Sequence, residues 1–370
     1  MAPKQENFIP ALGGVRGVAA CWVVGVHVPT LIRDLYPHQD IAVPRFFRSG
    51  YLGVDLFFVL SGFILTYVYA ARFRDAGLAA TAPFYVGRLL RIWPLNIAVL
   101  AVLGLVVYAS GIFGVGNFTG AQFVASLFLV QHWIYLRPLW NFPAWSLSVE
   151  TLAYIVFPLL VILIGRIKSA PALIAVIALS IGTLDATNYY LHGNSIGLDA
   201  GHAGGFSRCL FEFTGGIALC YLSQRYSASR RVLIACDVLS VLLLCICILT
   251  QWAMFAPFAF CGIVYSCAKN GAVGRLLGTP VCYWLGEISF SLYLTHWVTI
   301  FTFERVLKPL HASQWTDAAK TMTIVLCVAT VFLVAVGTWR LIERPSHAFA
   351  QDMRRKTAIR LRQTRIGMVQ

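Results

Sequence analysis

The chain contains few charged residues. Of its 370 residues, 12% are charged and 59% are hydrophobic, whereas about 25% of the residues in a soluble domain are charged. Apolar stretches of about 17 to 25 residues recur along the whole length. None is followed by a signal-peptidase-like site. This composition excludes an ordinary soluble domain and predicts an integral membrane protein, in which the first apolar stretch is a retained transmembrane helix.

Common catalytic and metal-binding signatures are also missing. The sequence has no Walker loop, GxSxG elbow, HExxH pair or Rossmann glycine pattern, which removes the frequent soluble-enzyme classes. Its ten cysteines lie in or beside apolar stretches and include no CxxC pair, so we interpret them as small core residues and expect no metal site. The formal charge of +14 resides mainly in short loops and the C-terminal tail. No nucleic-acid module is visible.

The apolar stretches define the candidate membrane spans. They are Ala11 to Ile32, Tyr51 to Ala71, Ile92 to Tyr108, Ala121 to Leu136, Val149 to Gly165, Ala170 to Tyr190, Phe206 to Leu222, Val232 to Leu249, Trp252 to Ala268, Val281 to Phe303 and Thr321 to Leu341.

Basic residues follow the second, fifth, seventh, ninth and last stretches, which is the positive-inside pattern. These loops can all be cytoplasmic only if one stretch between Ile92 and Gly165 does not cross. Ala121 to Leu136 is the weakest stretch, because it is short and contains polar residues. We therefore predict an all-α polytopic protein with about ten transmembrane helices, one re-entrant or non-spanning helix, and cytoplasmic N- and C-termini. The counter-indication is a group of arginines that this topology places outside, namely Arg33, Arg45 and Arg48.

No internal repeat or low-complexity linker divides the chain. We expect one membrane domain over residues 1–345 and a basic cytoplasmic tail over residues 346–370. The tail's cations would meet the anionic surface of the inner leaflet.

Arg16 and His27 lie in the first apolar stretch, eleven residues apart. At about 100° per residue, this spacing puts both side chains on one helix face, about 16 Å apart. An ionisable group near the bilayer centre costs roughly 2.5 to 3.5 kcal/mol on insertion scales and usually faces a polar cavity. The pair therefore favours an enzyme or a transporter. The alternative for His27 is a packing histidine held by a hydrogen bond.

Two carboxylates are predicted at a depth similar to that of His27. Asp55 begins the second helix, and Glu150 begins the helix after the non-spanning stretch, which places both in the outer half. A neutral imidazole can take a proton from a hydroxyl, and a carboxylate can orient that imidazole. This combination suits acyl transfer to an alcohol. The alternative for each carboxylate is a helix N-terminal position that the helix dipole favours.

Arg88 and Arg91 are three residues apart at the predicted start of a helix, so they share a face. Together with the helix N-terminus they form a candidate phosphate site. The alternative is positive-inside anchoring.

Two further polar positions lie within apolar helices. Arg208 and Glu212 are four residues apart and are predicted to neutralise each other. His296 lies on a polar face with Tyr293 that we expect to line the cavity. His296 is either a second acid/base or a helix-to-helix hydrogen-bonding residue.

At these residues the chain resembles the acyltransferase-3 family of bacterial membrane acyltransferases, which modify extracytoplasmic carbohydrates. The matching stretches keep the family's order across nearly the whole chain. They are ALGGVRGVAACWVVGVH, GVDLFFVLSGFIL, FYVGRLLRIWP, WSLSVETLAYIVFP, RCLFEFTGG, GEISFSLYLTHW and LIERP.

The resemblance implies a role for several residues. His27 would be the catalytic histidine with Arg16 as its motif partner, Arg88 and Arg91 would contact acyl-CoA, and Glu150 would be a further functional position. We group Arg16 with Arg88 and Arg91 as the candidate donor-binding residues. Asp55 completes our catalytic candidates. The substrate-cavity candidates are Trp145, Ser148, Tyr293 and His296. The chain departs from the family pattern at Gly13 and Thr151, where acidic or polar residues are common.

The predicted activity is O-acyl transfer in the bacterial inner membrane. Acyl-CoA, with acetyl as the expected acyl group, would bind from the cytoplasm, and an extracytoplasmic carbohydrate such as exopolysaccharide or O-antigen would accept the group. Some relatives carry an additional hydrolase-like domain; the short tail leaves no room for one, so the membrane domain or a partner in polysaccharide biosynthesis would complete the transfer. The alternatives are a transporter or flippase of a lipid-linked sugar and a structural subunit of an export complex.

Overall fold

The computed structural model describes residues 9–39, 41–135, 140–192 and 204–350, without the side chains of residues 184–192. All regular structure in these ranges is helical. In chain order the helices are α1 (Pro10–Leu35), α2 (Arg45–Arg48), α3 (Leu52–Ala76), α4 (Thr81–Ala109), α5 (Gly120–Leu127), α6 (Gln131–Ile134), α7 (Ala144–Gly165), α8 (Ala170–His192), α9 (Gly204–Arg225), α10 (Arg230–Thr250), α11 (Ala256–Ala268), α12 (Ala272–Leu277), α13 (Pro280–Leu307) and α14 (Asp317–Thr338).

Long apolar helices confirm the predicted fold class. Within the described part, 5 helical stretches are long and apolar enough to cross a membrane, and one of them, residues 45–109, contains α2 to α4. Leucines on α4, α10 and α14 are strongly exposed, including Leu105 at 71%, Leu239 at 65% and Leu333 at 71%. Such an apolar outer surface suits lipid rather than water. The count of about ten crossings and the orientation of the termini remain predictions.

The segment predicted not to cross forms two short helices. α5 has 8 residues and α6 has 4, so they extend about 12 Å and 6 Å and neither can span a bilayer of about 30 Å. Trp93 Nε1 donates to Leu127 O at 3.0 Å, and Asn96 Nδ2 donates to Ser126 O at 3.1 Å, which ties α5 to α4. Leu136, the predicted end of this segment, lies outside the described residues.

Glycines bring the central helices into backbone contact. A Cβ at Gly286 of α13 would lie 2.2 Å from Gly13 O of α1, and a Cβ at Gly216 of α9 would lie 2.1 Å from Val59 O of α3. α1 and α13 run parallel, because Gly286 packs beside Gly17 and the later residues of both helices also meet. Larger residues at these contacts would force the helices apart.

Two of the arginines that oppose the predicted topology donate to carbonyls toward the C-terminal ends of helices. Arg45 Nη1 donates to Leu249 O in the last turn of α10 at 2.6 Å, and Arg33 Nε donates to Pro29 O, one turn earlier in α1, at 3.3 Å. Arg45 thereby satisfies a carbonyl without an intrahelical partner, and both cations lie at helix ends that the helix dipole makes negative. A local structural role therefore accounts for their presence on the predicted outer side.

The described residues include only the first part of the predicted tail, residues 346–350. A π turn, Trp339–Glu343, follows α14, and the helix then continues to residue 350. The basic tail residues Arg354, Arg355, Lys356, Arg360, Arg362 and Arg365 lie outside the described residues.

Candidate active site

An arginine-lined cavity lies between α1, α3, α4, α7 and α13. Its volume is about 110 Å³, and its lining includes Arg16, Arg88, Arg91 and Glu150. The structure thus brings the three predicted anion-binding arginines together with one predicted catalytic carboxylate. Since three guanidiniums face one carboxylate, the lining favours an anionic ligand.

Glu150 lies inside this cavity. Ser61 donates a hydrogen bond to Glu150 Oε1, and Arg88 and Arg91 are near enough to interact electrostatically with the same carboxylate. The prediction that Glu150 lies at the depth of His27 is wrong, because the α7 helix begins at Ala144 and carries Glu150 into the arginine cluster.

Arg88 and Arg91 lie well inside α4. This helix begins at Thr81, so about 10 Å separates Arg88 from the helix N-terminus, and the predicted contribution of that N-terminus to a phosphate site is wrong. Arg88 Nη2 instead donates to Tyr69 Oη at 3.3 Å, and its guanidinium lies 5.5 Å from the centre of the Tyr69 ring. The anion site therefore consists of side chains.

A pair of histidines forms the second part of the site. His27 Nδ1 and His296 Nε2 are 3.3 Å apart, and the ring centroids are 5.0 Å apart. His296 is fully buried, whereas His27 is partly exposed. The parallel packing of α1 and α13 places these residues opposite each other.

Backbone carbonyls define the tautomer of each ring. His27 Nδ1 is 2.9 Å from Val23 O, and His296 Nδ1 is 3.1 Å from Leu292 O. Because a carbonyl only accepts hydrogen bonds, we assign a proton to each Nδ1. The single Nδ1–H of His27 is then shared between Val23 O at 2.9 Å and His296 Nε2 at 3.3 Å. His27 Nε2 carries a lone pair without a hydrogen-bond partner among the described residues. This tautomer can act as a base.

No carboxylate orients His27 in the described part of the chain. The carbonyl of Val23 and the ring of His296 occupy its Nδ1, and the expected contact from Glu150 or Asp55 is absent there. The predicted orientation of His27 by a carboxylate therefore does not match the geometry.

Tyr293 connects the cavity and the histidine pair. It lines the cavity, its hydroxyl is 2.6 Å from Ser146 Oγ and donates to Pro143 O at 2.9 Å, and its ring centroid is 6.0 Å from that of His296. Ser289 also lines the cavity, and it precedes His296 on α13 by seven residues, or about 10 Å of helix.

Three predicted site residues lie elsewhere. Asp55 is 3% exposed and accepts from Arg208 Nη2 at 2.6 Å. Arg208, which was predicted to pair with Glu212, is thus hydrogen-bonded to Asp55 and also interacts electrostatically with Glu212. Trp145 lies 5.8 Å from the Arg208 guanidinium. Ser148 donates to Leu129 O at 2.8 Å and accepts from the His132 N–H at 3.1 Å, which ties α7 to the α5–α6 segment.

Ser289, on the polar face with Tyr293 that was expected to line the cavity, does so, whereas sequence reasoning missed three other cavity residues, namely Ser61, Ser146 and Tyr154. Serine and tyrosine are common in apolar helices, and only the packing of α3, α7 and α13 shows which of them meet Glu150 and Tyr293.

Fold and site together define a multi-pass membrane protein that encloses a cationic cavity and a histidine pair between its helices. The family model described as "Acyltransferase domain" matches residues 9–340. The chain belongs to this family, acyltransferase-3, as its sequence motifs predict.

The relatives include named O-acetyltransferases. Peptidoglycan O-acetyltransferase OatA of Listeria monocytogenes is 25% identical over 380 residues, which cover 92% of this chain and 56% of that protein. The Bacillus subtilis protein named "Putative peptidoglycan O-acetyltransferase YrhL" is 25% identical over 378 residues, which cover 92% of this chain and 55% of that protein. The chain thus spans a little over half the length of these relatives. No solved structure matches it.

Proposed function

We propose that the chain transfers an acetyl group from cytoplasmic acetyl-CoA to a hydroxyl of an extracytoplasmic carbohydrate at the bacterial inner membrane. The observation that carries this proposal is the arrangement of an arginine-lined cavity and a histidine with a free Nε2, joined through Tyr293. Family membership supports acyl transfer, and the relatives' names make peptidoglycan one acceptor to test beside exopolysaccharide and O-antigen.

The donor's phosphates would bind Arg16, Arg88 and Arg91. Guanidinium groups form paired hydrogen bonds with phosphate oxygens, and these bonds strengthen in an apolar environment. The cavity is too small for a whole acyl-CoA, so the nucleotide would stay at the cytoplasmic side. The pantetheine arm would extend past Tyr293 for about 10 Å and deliver the thioester to the histidine pair.

The reaction then needs one base. His27 Nε2 takes the proton of the acceptor hydroxyl, the oxygen attacks the thioester carbonyl, and the carbon–sulfur bond breaks to release the CoA thiolate. The imidazolium of His27 returns its proton to that thiolate, which balances the step. His296 stabilises the imidazolium by accepting from His27 Nδ1. Glu150 would adjust the charge of the donor cavity rather than orient the base.

Mass spectrometry of surface glycans tests this function. Cells that lack the chain are complemented with wild type or His27→Ala at matched membrane levels. We expect an acetyl mass increment with wild type alone. Restoration by both proteins would show that His27 is structural. If neither protein restores a difference from the deletion strain, the transporter hypothesis or another acceptor gains support.

A further inference from the structure

Resting on the proposed function, we propose that Glu343 is a positioning residue for the donor site. It lies beside the cavity without lining it, and its negative charge keeps the guanidiniums of Arg16 and Arg91 available for the anionic groups of the donor. The π turn Trp339–Glu343 presents it to them.

The contacts of Glu343 place it next to the arginine cluster but outside the cavity. Its side chain is 3% exposed, and Glu343 Oε2 accepts from Ser291 Oγ of α13 at 2.6 Å. Arg91 of α4 and Arg16 of α1 both interact with it electrostatically. Glu343 does not itself line the cavity, but Ser289 and Tyr293, two residues to either side of Ser291 on α13, both do, so the hydrogen bond to Ser291 holds the carboxylate beside the cavity.

The π turn has a cause in the sequence. Pro345 has no backbone N–H and cannot donate to the carbonyl of Leu341, the bond that a regular helix requires at this place. A π turn inserts one residue into the helix and rotates the residues that follow by about 100° relative to an uninterrupted helix. The turn therefore determines which residue of this segment faces Ser291 and Arg91.

Two carboxylates compete for Arg91. Glu150 lines the cavity and Glu343 does not, and both interact electrostatically with Arg91. While Glu343 balances part of the charge from outside the cavity, Arg91 can leave its hydrogen-bond donors for a phosphate. Without Glu343, the carboxylate left to Arg91 is Glu150, and their pairing would fill the space that the donor needs.

Binding of radiolabelled acetyl-CoA to the full chain in lipid nanodiscs tests this role. We expect Glu343→Gln to raise the donor Kd about tenfold and to change the transfer rate at saturating donor by less than about twofold. Glu343→Asp, which keeps the charge, should recover part of the affinity. Pro345→Ala should weaken binding as Glu343→Gln does, because it removes the cause of the π turn. Arg344→Gln is the matched control, since Arg344 is exposed in the same segment, and it should bind as wild type.

The outcomes separate this proposal from the proposed function. If Glu343→Gln leaves the acetyl-CoA Kd unchanged while Arg91→Gln abolishes acetyl-CoA binding, the role of Glu343 is overturned and the donor site remains in place. A wild type that binds no acetyl-CoA would overturn the donor itself. A donor-independent test is a double-mutant cycle in thermal unfolding, where Arg91→Gln and Glu343→Gln should be non-additive. Additive effects would contradict the coupling.

Discussion

The histidine pair shows how a side chain can be assigned a role from its partners. Both Nδ1 atoms face carbonyl oxygens, at 2.9 Å for His27 and 3.1 Å for His296, so the free lone pair belongs to His27 Nε2. In many hydrolytic sites a carboxylate fixes the tautomer of the base. Here the helix backbone does so, and the buried His296 accepts the shared proton.

This assignment predicts the behaviour of His296 variants. His296→Phe removes one of the two acceptors for the His27 Nδ1–H and should lower the transfer rate by about tenfold, which is less than the roughly 10²- to 10⁴-fold that a general acid or base itself contributes. His296→Gln offers an amide oxygen in its place and should retain more activity. Rates at saturating acetyl-CoA, measured in nanodiscs, give the comparison. Donor Kd should stay unchanged because His296 does not line the cavity; equal rates for both variants would contradict the proton-accepting role.

Sequence alone predicted part of this site. Periodicity placed Arg16 and His27 on one face of a helix, and the spacing of Arg88 and Arg91 gave them a common face, because both features depend only on local helix geometry. The pairing of Asp55 with Arg208 joins residues 153 positions apart. Such a contact depends on which helices are neighbours, and a single sequence does not contain that information.

At the level of helices, glycine identity controls how closely α3 and α9 approach. Gly215 and Gly216 are adjacent in α9, but only Gly216 faces a neighbouring backbone, with Val59 O at 2.1 Å from an added Cβ. Gly216→Ala should therefore destabilise the protein by about 1 to 3 kcal/mol. Gly215→Ala, where nothing lies within 4 Å of the Cβ, should be neutral or stabilising by up to about 1 kcal/mol. Thermal unfolding in detergent measures both.

Equal stability losses in the two glycine variants would contradict this packing. The comparison is sharp because both residues lie in one helix and both variants make the same chemical change.

The existence of the long helices could be predicted from the length of the apolar stretches, whereas the π turn at residues 339–343 was not predicted. Pro345 removes one helical hydrogen bond, but a sequence with such a proline is equally compatible with a kink or a helix end, so the π turn could not be predicted from the proline alone.

For the whole molecule, the distribution of charge predicts a membrane orientation. The C-terminal end of α3, with Arg72 and Arg74, should be cytoplasmic, and the loop between α4 and α5 should be outside. We expect Asp75→Cys to be protected from a membrane-impermeant maleimide in intact cells and Asn117→Cys to be labelled, since both positions are exposed. The wild-type chain with its ten native cysteines gives the background. The reverse pattern would invert the topology and would place the donor arginines on the wrong side for cytoplasmic acyl-CoA.

The contact between α1 and α13 also affects biogenesis. His27 and His296 are 269 residues apart in the chain. The contacts between Gly13, Gly17 and Gly286 lie at the other end of the interface between the same two helices. During synthesis α1 enters the membrane early. It has no contact with its parallel neighbour α13 until nearly all other helices have been translated. A nascent chain therefore contains His27 long before it contains His296, and the histidine pair can form only in the last stage of insertion.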